Sequence, residues 1–164
     1  MEPPAPPHSS RLIVDCDAIA ANFHRLSRRV TPAECGAVVK ADAYGLGIDA
    51  IATALLDAGC RFFFVARLCE AQRLRPIVGS GSEITILNGL DPGSEAACAE
   101  AGFVPVLNSA TQLAAWRGTP GLPRGDYRPR CKSTPACLVS ACRPTRRWQL
   151  QEILHWRVSS SSSF

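Results

Sequence analysis

The chain has 164 residues, with 18 Lys and Arg against 14 Asp and Glu, 8 Cys, 13 Pro and 12 Gly. That length suits one domain, and 46% apolar with 20% charged residues excludes a wholly disordered chain. The charge is split: residues 1–117 carry a net −2 and residues 118–164 a net +6, so the basic balance says nothing about partners of the first 117 residues.

The apolar stretches, such as Phe62–Ala66, fall far short of the roughly 18 residues that span a bilayer. No membrane association is expected. The opening MEPPAPPHSS has neither a basic n-region nor an apolar h-region. Residues 1–10 are therefore expected to form a disordered, Pro-rich leader rather than a secretory signal. The eight cysteines include no C-x-x-C pair, and five of them sit in apolar segments. A reduced, cytoplasmic chain is expected, with those thiols acting as small hydrophobes.

In chain order, Leu12–Val14 is a short apolar run. Asp17 is expected to cap a helix that carries Ile19, Phe23, Leu26 and Val30 on one stripe. Cys35–Val39 is a second apolar run. Ile48–Ala58 has helical spacing, with Ile48, Ile51 and Leu55 facing inward and Gly59 as the stop. Arg61–Ala66 predicts a strand and Leu68–Leu74 a helix. Glu83–Leu87 predicts a strand closed by Asn88-Gly89, and Ser94–Ala101 a helix followed by Gly102. Val104–Leu107 predicts a strand, and Ser109 is placed to cap a helix to Trp116. Four strand–helix units beginning near Cys35 imply a parallel sheet with helices outside it. The alternation stops at Trp116, and an irregular tail follows, ending in Ser159–Ser163.

The segment AVVKADAYGLG, Ala37–Gly47, carries the chemistry. It delivers Lys40 at the C-terminal end of a strand, where parallel α/β folds build their active sites. Tyr44 follows in a loop with Gly45 and Gly47, residues that let backbone approach a phosphate. An amine held on a rigid strand end is a candidate Schiff-base nucleophile. By composition alone such a lysine is more often simply solvated, and Gly-x-Gly lacks the third glycine of a nucleotide-binding fingerprint.

The whole segment resembles the pyridoxal-phosphate motif of bacterial alanine racemases, V-V-K-A-[DN]-A-Y-G-H-G. The resemblance extends to VDCDAIAANFHRL (Val14–Leu26), to FFFVARLCEAQRLR (Phe62–Arg75), and to EITILNGL and FVPVLNSATQLAAW further on. It covers residues 11–117, with Leu46 standing where the family usually has His. It implies an α/β fold, the first half of a (β/α)8 TIM barrel. It also implies that Lys40 holds pyridoxal 5'-phosphate and acts as base on one face of the substrate α-carbon, while Tyr44 lies beside the cofactor phosphate. No metal is implied. The substrate would be alanine and the intact family a homodimer, whose second base is a tyrosine from the partner's C-terminal β-domain. No such domain is legible in this chain, whose other tyrosine is Tyr127, so the chain alone is expected to be inactive. The alternatives are a non-enzymatic remnant that still binds the cofactor, and another barrel enzyme of this cofactor class such as an amino-acid decarboxylase.

Residues 118–164 do not fit a nucleic-acid or membrane arm, because aromatics do not interleave with the arginines. Cys131, Cys137, Cys142 and His155 have spacings that match no usual zinc pattern. A shifted reading frame fits better. The codons permitted for Lys132–Cys142 can encode V-D-T-G-M-S-R-L-G-L in the alternate frame, which resembles the family's next landmark, D-T-G-M-x-R-L-G. The tail is therefore expected to be out of frame from between Trp116 and Arg124, and its cysteines to be coding accidents.

Overall fold

The computed structural model describes residues 12–120, Leu122 and, for the backbone alone, Arg130 and Cys131. The expected leader over 1–10, Tyr127, Cys137, Cys142, His155 and nearly all of the tail expected to be out of frame lie outside the described residues.

The chain begins with α1 (Cys16–Val30). Asp15, rather than Asp17, caps it, its carboxylate accepting from Ala18 N at 2.9 Å. Asp17 sits inside the first turn, and Arg28 and Arg29 in the last, the order the helix dipole favours. Ile19 and Phe23, one turn apart, are its buried residues, and Leu26 and Val30 are half-buried. The helix packs on α3 (Ile48–Asp57), which buries Ile48, Ile51, Ala52 and Leu55. That spacing is the single apolar stripe of an amphipathic helix.

Five strands form one sheet in the order β1 (Ala37–Val38), β2 (Phe62–Val65), β3 (Glu83–Ile86), β4 (Val104–Leu107) and β5 (Arg130–Cys131). Every neighbouring pair is parallel, with Ala37 opposite Phe63, Phe64 opposite Thr85, and Thr85 opposite Val104. Sequential, all-parallel order joined by helices is the topology of a growing α/β barrel. β5 was not expected. It pairs Val106 with Arg130 and Leu107 with Cys131, so the sheet continues into the segment read as an irregular tail.

Side chains alternate across the sheet. Phe63, Val65, Ile84, Ile86 and Leu107 join the buried faces of the helices in one core. Phe64, Thr85 and Val106 are buried outside that cluster, on the opposite face. Gly36 makes room there: a Cβ at this position would come within 2.5 Å of the Phe64 ring.

α4 (Leu68–Val78) runs a turn further than the expected stop at Leu74. Pro76 removes one backbone donor but sits on the exposed side, while Leu74 and Val78 are held in the core. The helix closes at Gly79, whose N–H donates to Arg75 O at 2.9 Å. α5 (Glu95–Glu100) and α6 (Ala110–Gly118) follow their strands. Ser109 caps α6 as expected, accepting from Gln112 N at 3.1 Å. No helix among the described residues is long and apolar enough to cross a membrane. Among the described residues Cys16, Cys35, Cys60, Cys69 and Cys98 form no disulfide.

Candidate functional site

The C-terminal ends of β1 to β4 lie side by side, and the loops that leave them form one rim. At β1 the ladder ends when Val39 N donates to Phe64 O at 2.8 Å. The next residue is Lys40, so the expected strand-end position is what the structure shows.

The segment beyond Lys40 is not the open loop that the glycines suggest. It is a short helical turn, α2 (Lys40–Gly45), wound left-handed. Ala41, Asp42, Ala43 and Tyr44 have φ between 52° and 58°. None is glycine, so each is disfavoured by about 1–2 kcal/mol relative to the right-handed form. Only Asp42 belongs to a type that tolerates this region readily.

Specific contacts hold the turn. Ala43 is buried, and its N–H donates to Val39 O at 3.0 Å. Gly47 N donates to Asp42 O at 3.0 Å, closing the turn. The Asp42 carboxylate accepts from Ile48 N at 3.0 Å, supplying the first turn of α3 with an acceptor that the capping position, Gly47, lacks. The same carboxylate pairs with Arg73 of α4 at 3.0 Å, and Arg73 also reaches Asp49 at 3.0 Å. Both pairs are largely solvated and contribute about 0–1 kcal/mol each.

Glu70, one turn before Arg73 on α4, is half-buried beneath the rim. One carboxylate oxygen accepts from Ala41 N at 2.9 Å. The other accepts from Ala66 N at 2.6 Å and Arg67 N at 3.1 Å. A single side chain thus satisfies three backbone donors in the exits of β1 and β2. Such charge-assisted bonds are roughly twice as strong as neutral ones. Reading the sequence singled out neither Glu70 nor Arg73. The signal available was Glu70 in the third position of a helix, where a carboxylate can reach back to free N–H groups.

Lys40 is half-buried, with its ammonium 5.8 Å from the centre of the Tyr44 ring. Tyr44 is exposed. The two residues expected to act together therefore share one turn, with cation–π geometry between them. Leu46 is half-buried and packs against the core, which suits an apolar residue at this position.

Across the rim, Gln112 of α6 links the next two strand exits. Its side chain accepts from Asn108 N at 2.8 Å and donates to Leu90 O at 3.3 Å. Asn108 in turn donates to Leu87 O at 3.1 Å. Gly89 has φ 80°, and a Cβ there would overlap the Gln112 amide. A groove on the outside, between α1 and α3, is lined by Asp17, His24, Asp49 and Asp57 and includes neither Lys40 nor Tyr44.

A parallel strand–helix sheet that presents a lysine on a turn at its strand C-termini defines part of a (β/α)8 barrel. The family model for the alanine racemase N-terminal domain matches residues 14–123. The chain belongs to the alanine racemase family. It is 51% identical over 105 residues to a catabolic alanine racemase of Rhizobium johnstonii, and 52% identical over 109 residues to the alanine racemase of Methylobacterium nodulans. These alignments cover 64% and 66% of this chain but 28% and 29% of the relatives, so the chain matches less than a third of their length. The crystal structure of alanine racemase from Bartonella henselae with covalently bound pyridoxal phosphate superposes with a TM-score of 0.62 at 45% identity, over 63% of this chain and 29% of that one. The enzyme from Corynebacterium glutamicum gives 0.60 at 32% identity, over 65% and 31%.

Proposed function

We propose that this chain supplies the lysine-bearing part of an alanine racemase barrel, and that in the assembled enzyme it serves the interconversion of L- and D-alanine with pyridoxal 5'-phosphate. The observation that carries this reading is Lys40, which stands at the C-terminal end of the first barrel strand on the turn that also bears Tyr44.

The donor set fits the cofactor. Lys40 offers a primary amine that can condense with an aldehyde, and among the described residues no carboxylate pairs with it. Tyr44 offers an exposed phenol on the same turn, suited to donate to a phosphate oxygen. When bound, pyridoxal phosphate acidifies the substrate α-proton by drawing the electron pair at that carbon into its ring. Lys40 Nζ would then take a proton from one face of the α-carbon and return it to the same face. Tyr44 would orient the phosphate end and keep the reacting end over Lys40. Inversion needs an acid or base on the opposite face. By the resemblance, a tyrosine of a second subunit supplies it, which makes the working form a homodimer. The cytoplasm is the setting that suits free thiols in this chain.

The test is chemical. The chain is mixed with pyridoxal phosphate, reduced with borohydride and mapped by mass spectrometry. Lys40 and Lys132 are its two lysines, and the reading requires the adduct on Lys40. Equal labelling of Lys40, Lys132 and the N-terminal amine would overturn it.

A further inference from the structure

We propose that Glu70, assisted by Arg73, is a positioning residue that sets the direction of the Lys40 amine; the proposal rests on the reading of Lys40 as the cofactor lysine. Glu70 bonds both the exit of β1, through Ala41 N at 2.9 Å, and the exit of β2, through Ala66 N at 2.6 Å and Arg67 N at 3.1 Å. Ala41 directly follows Lys40, so its peptide plane fixes where the lysine backbone ends and its side chain starts. One helical turn later Arg73 holds the next residue of the turn, Asp42, at 3.0 Å. Two consecutive residues after the lysine are thus gripped from the first two turns of α4.

The grip matters because of the conformation it holds. Four consecutive non-glycine residues in the left-handed region have no intrinsic reason to stay there. A relaxed turn would move Tyr44 relative to Lys40, since the two side chains are related through these four residues. Reactions that depend on alignment lose about a hundredfold from a misplacement near 1 Å. A carboxylate suits the role better than an amide. Both of its oxygens face N–H donors, and a glutamine would place a donor of its own against one of them.

The experiment uses the full chain and reads the pyridoxal phosphate concentration that half-saturates borohydride-trapped adduct at Lys40. Hydrogen exchange at the Ala41 amide is read in parallel. Glu70→Gln and Glu70→Ala are expected to raise the midpoint by about tenfold or more and to release Ala41 to exchange. Gln72→Gly, at an exposed position of the same helix, weakens α4 without touching the turn. It should lower the melting temperature while leaving the midpoint within about twofold.

An equal loss in Gln72→Gly would show that Glu70 acts only through helix stability, and would overturn the proposal. So would a wild-type midpoint and slow Ala41 exchange in both Glu70 variants. If those variants do not fold, Arg73→Met decides. The proposal expects its midpoint to rise by about twofold to fivefold through release of Asp42, and an unchanged midpoint overturns it. Absence of any Lys40 adduct in the unsubstituted chain is a different result: it overturns the cofactor reading itself.

Discussion

Glu70 accepts a hydrogen bond from the backbone N–H of Ala41 at 2.9 Å, across 29 positions of sequence. The contact joins the helix after the second strand to the turn after the first. It ties two strand exits of the rim together from the N-terminus of one helix. Gln112 repeats the arrangement between β3 and β4, reaching Leu90 O and Asn108 N.

The left-handed turn makes a prediction of unusual sign. Ala41 is exposed and has φ 52°. In a right-handed helix Ala41→Gly would destabilise by about 1 kcal/mol. Here glycine relieves the left-handed penalty, so urea unfolding should show a stability unchanged or raised by up to about 1 kcal/mol. A clear loss would contradict the handedness of α2.

Gly89 and Gly59 separate backbone strain from steric overlap. Both have positive φ, 80° and 91°. A Cβ at Gly59 meets nothing within 4 Å, whereas one at Gly89 runs into Gln112. Gly59→Ala should cost about 1–2 kcal/mol, the backbone penalty alone. Gly89→Ala should cost about 1 kcal/mol more, and should loosen the links to Leu90 and Asn108. Chemical denaturation of the two variants side by side measures the difference.

Cys60 links stability to alkaline pH. Burial pushes its thiol up from the ordinary 9.0 to about 11, outweighing smaller backbone effects at Phe62 and Ala37 that act the other way. In the unfolded chain the thiol ionises near pH 9, while in the folded chain it stays protonated until about pH 11. The unfolded state therefore holds fewer protons across this window, and stability falls as pH rises through it, by roughly 2–3 kcal/mol. Cys60→Ala should flatten that part of the stability profile. At pH 8 iodoacetamide should modify the exposed Cys69 well before Cys35, which burial also raises, and before Cys60.

In the proposed function Lys40 supplies one acid–base group, on one face of the substrate. Loaded with pyridoxal phosphate, the 164-residue chain should exchange the α-proton of one alanine enantiomer for deuterium without accumulating the other. Proton NMR in heavy water with chiral chromatography reads both, and Lys40→Ala should abolish the exchange. Racemisation by the unaccompanied chain would mean that it carries a second proton donor opposite Lys40.

Much of the fold is legible in one dimension, because each unit is built from neighbours in sequence. Apolar residues at helical spacing place Ile48, Ile51 and Leu55 on one stripe, and Ser109 caps its helix by a contact of three positions. Val104–Leu107 is a strand to the residue, since its apolar run has no helical period. Lys40 and Tyr44 fall on one turn, as their spacing of four within a motif eleven residues long suggests. Tertiary structure alone decided three things. It carried α4 past Pro76, because burial of Leu74 and Val78 outweighs one lost hydrogen bond. It paired Val106 with Arg130, a parallel contact that no local pattern encodes. It also wound Ala41–Tyr44 to the left against the propensity of each residue, because the acceptors that hold the turn, Glu70 above all, arrive from a helix 29 positions away.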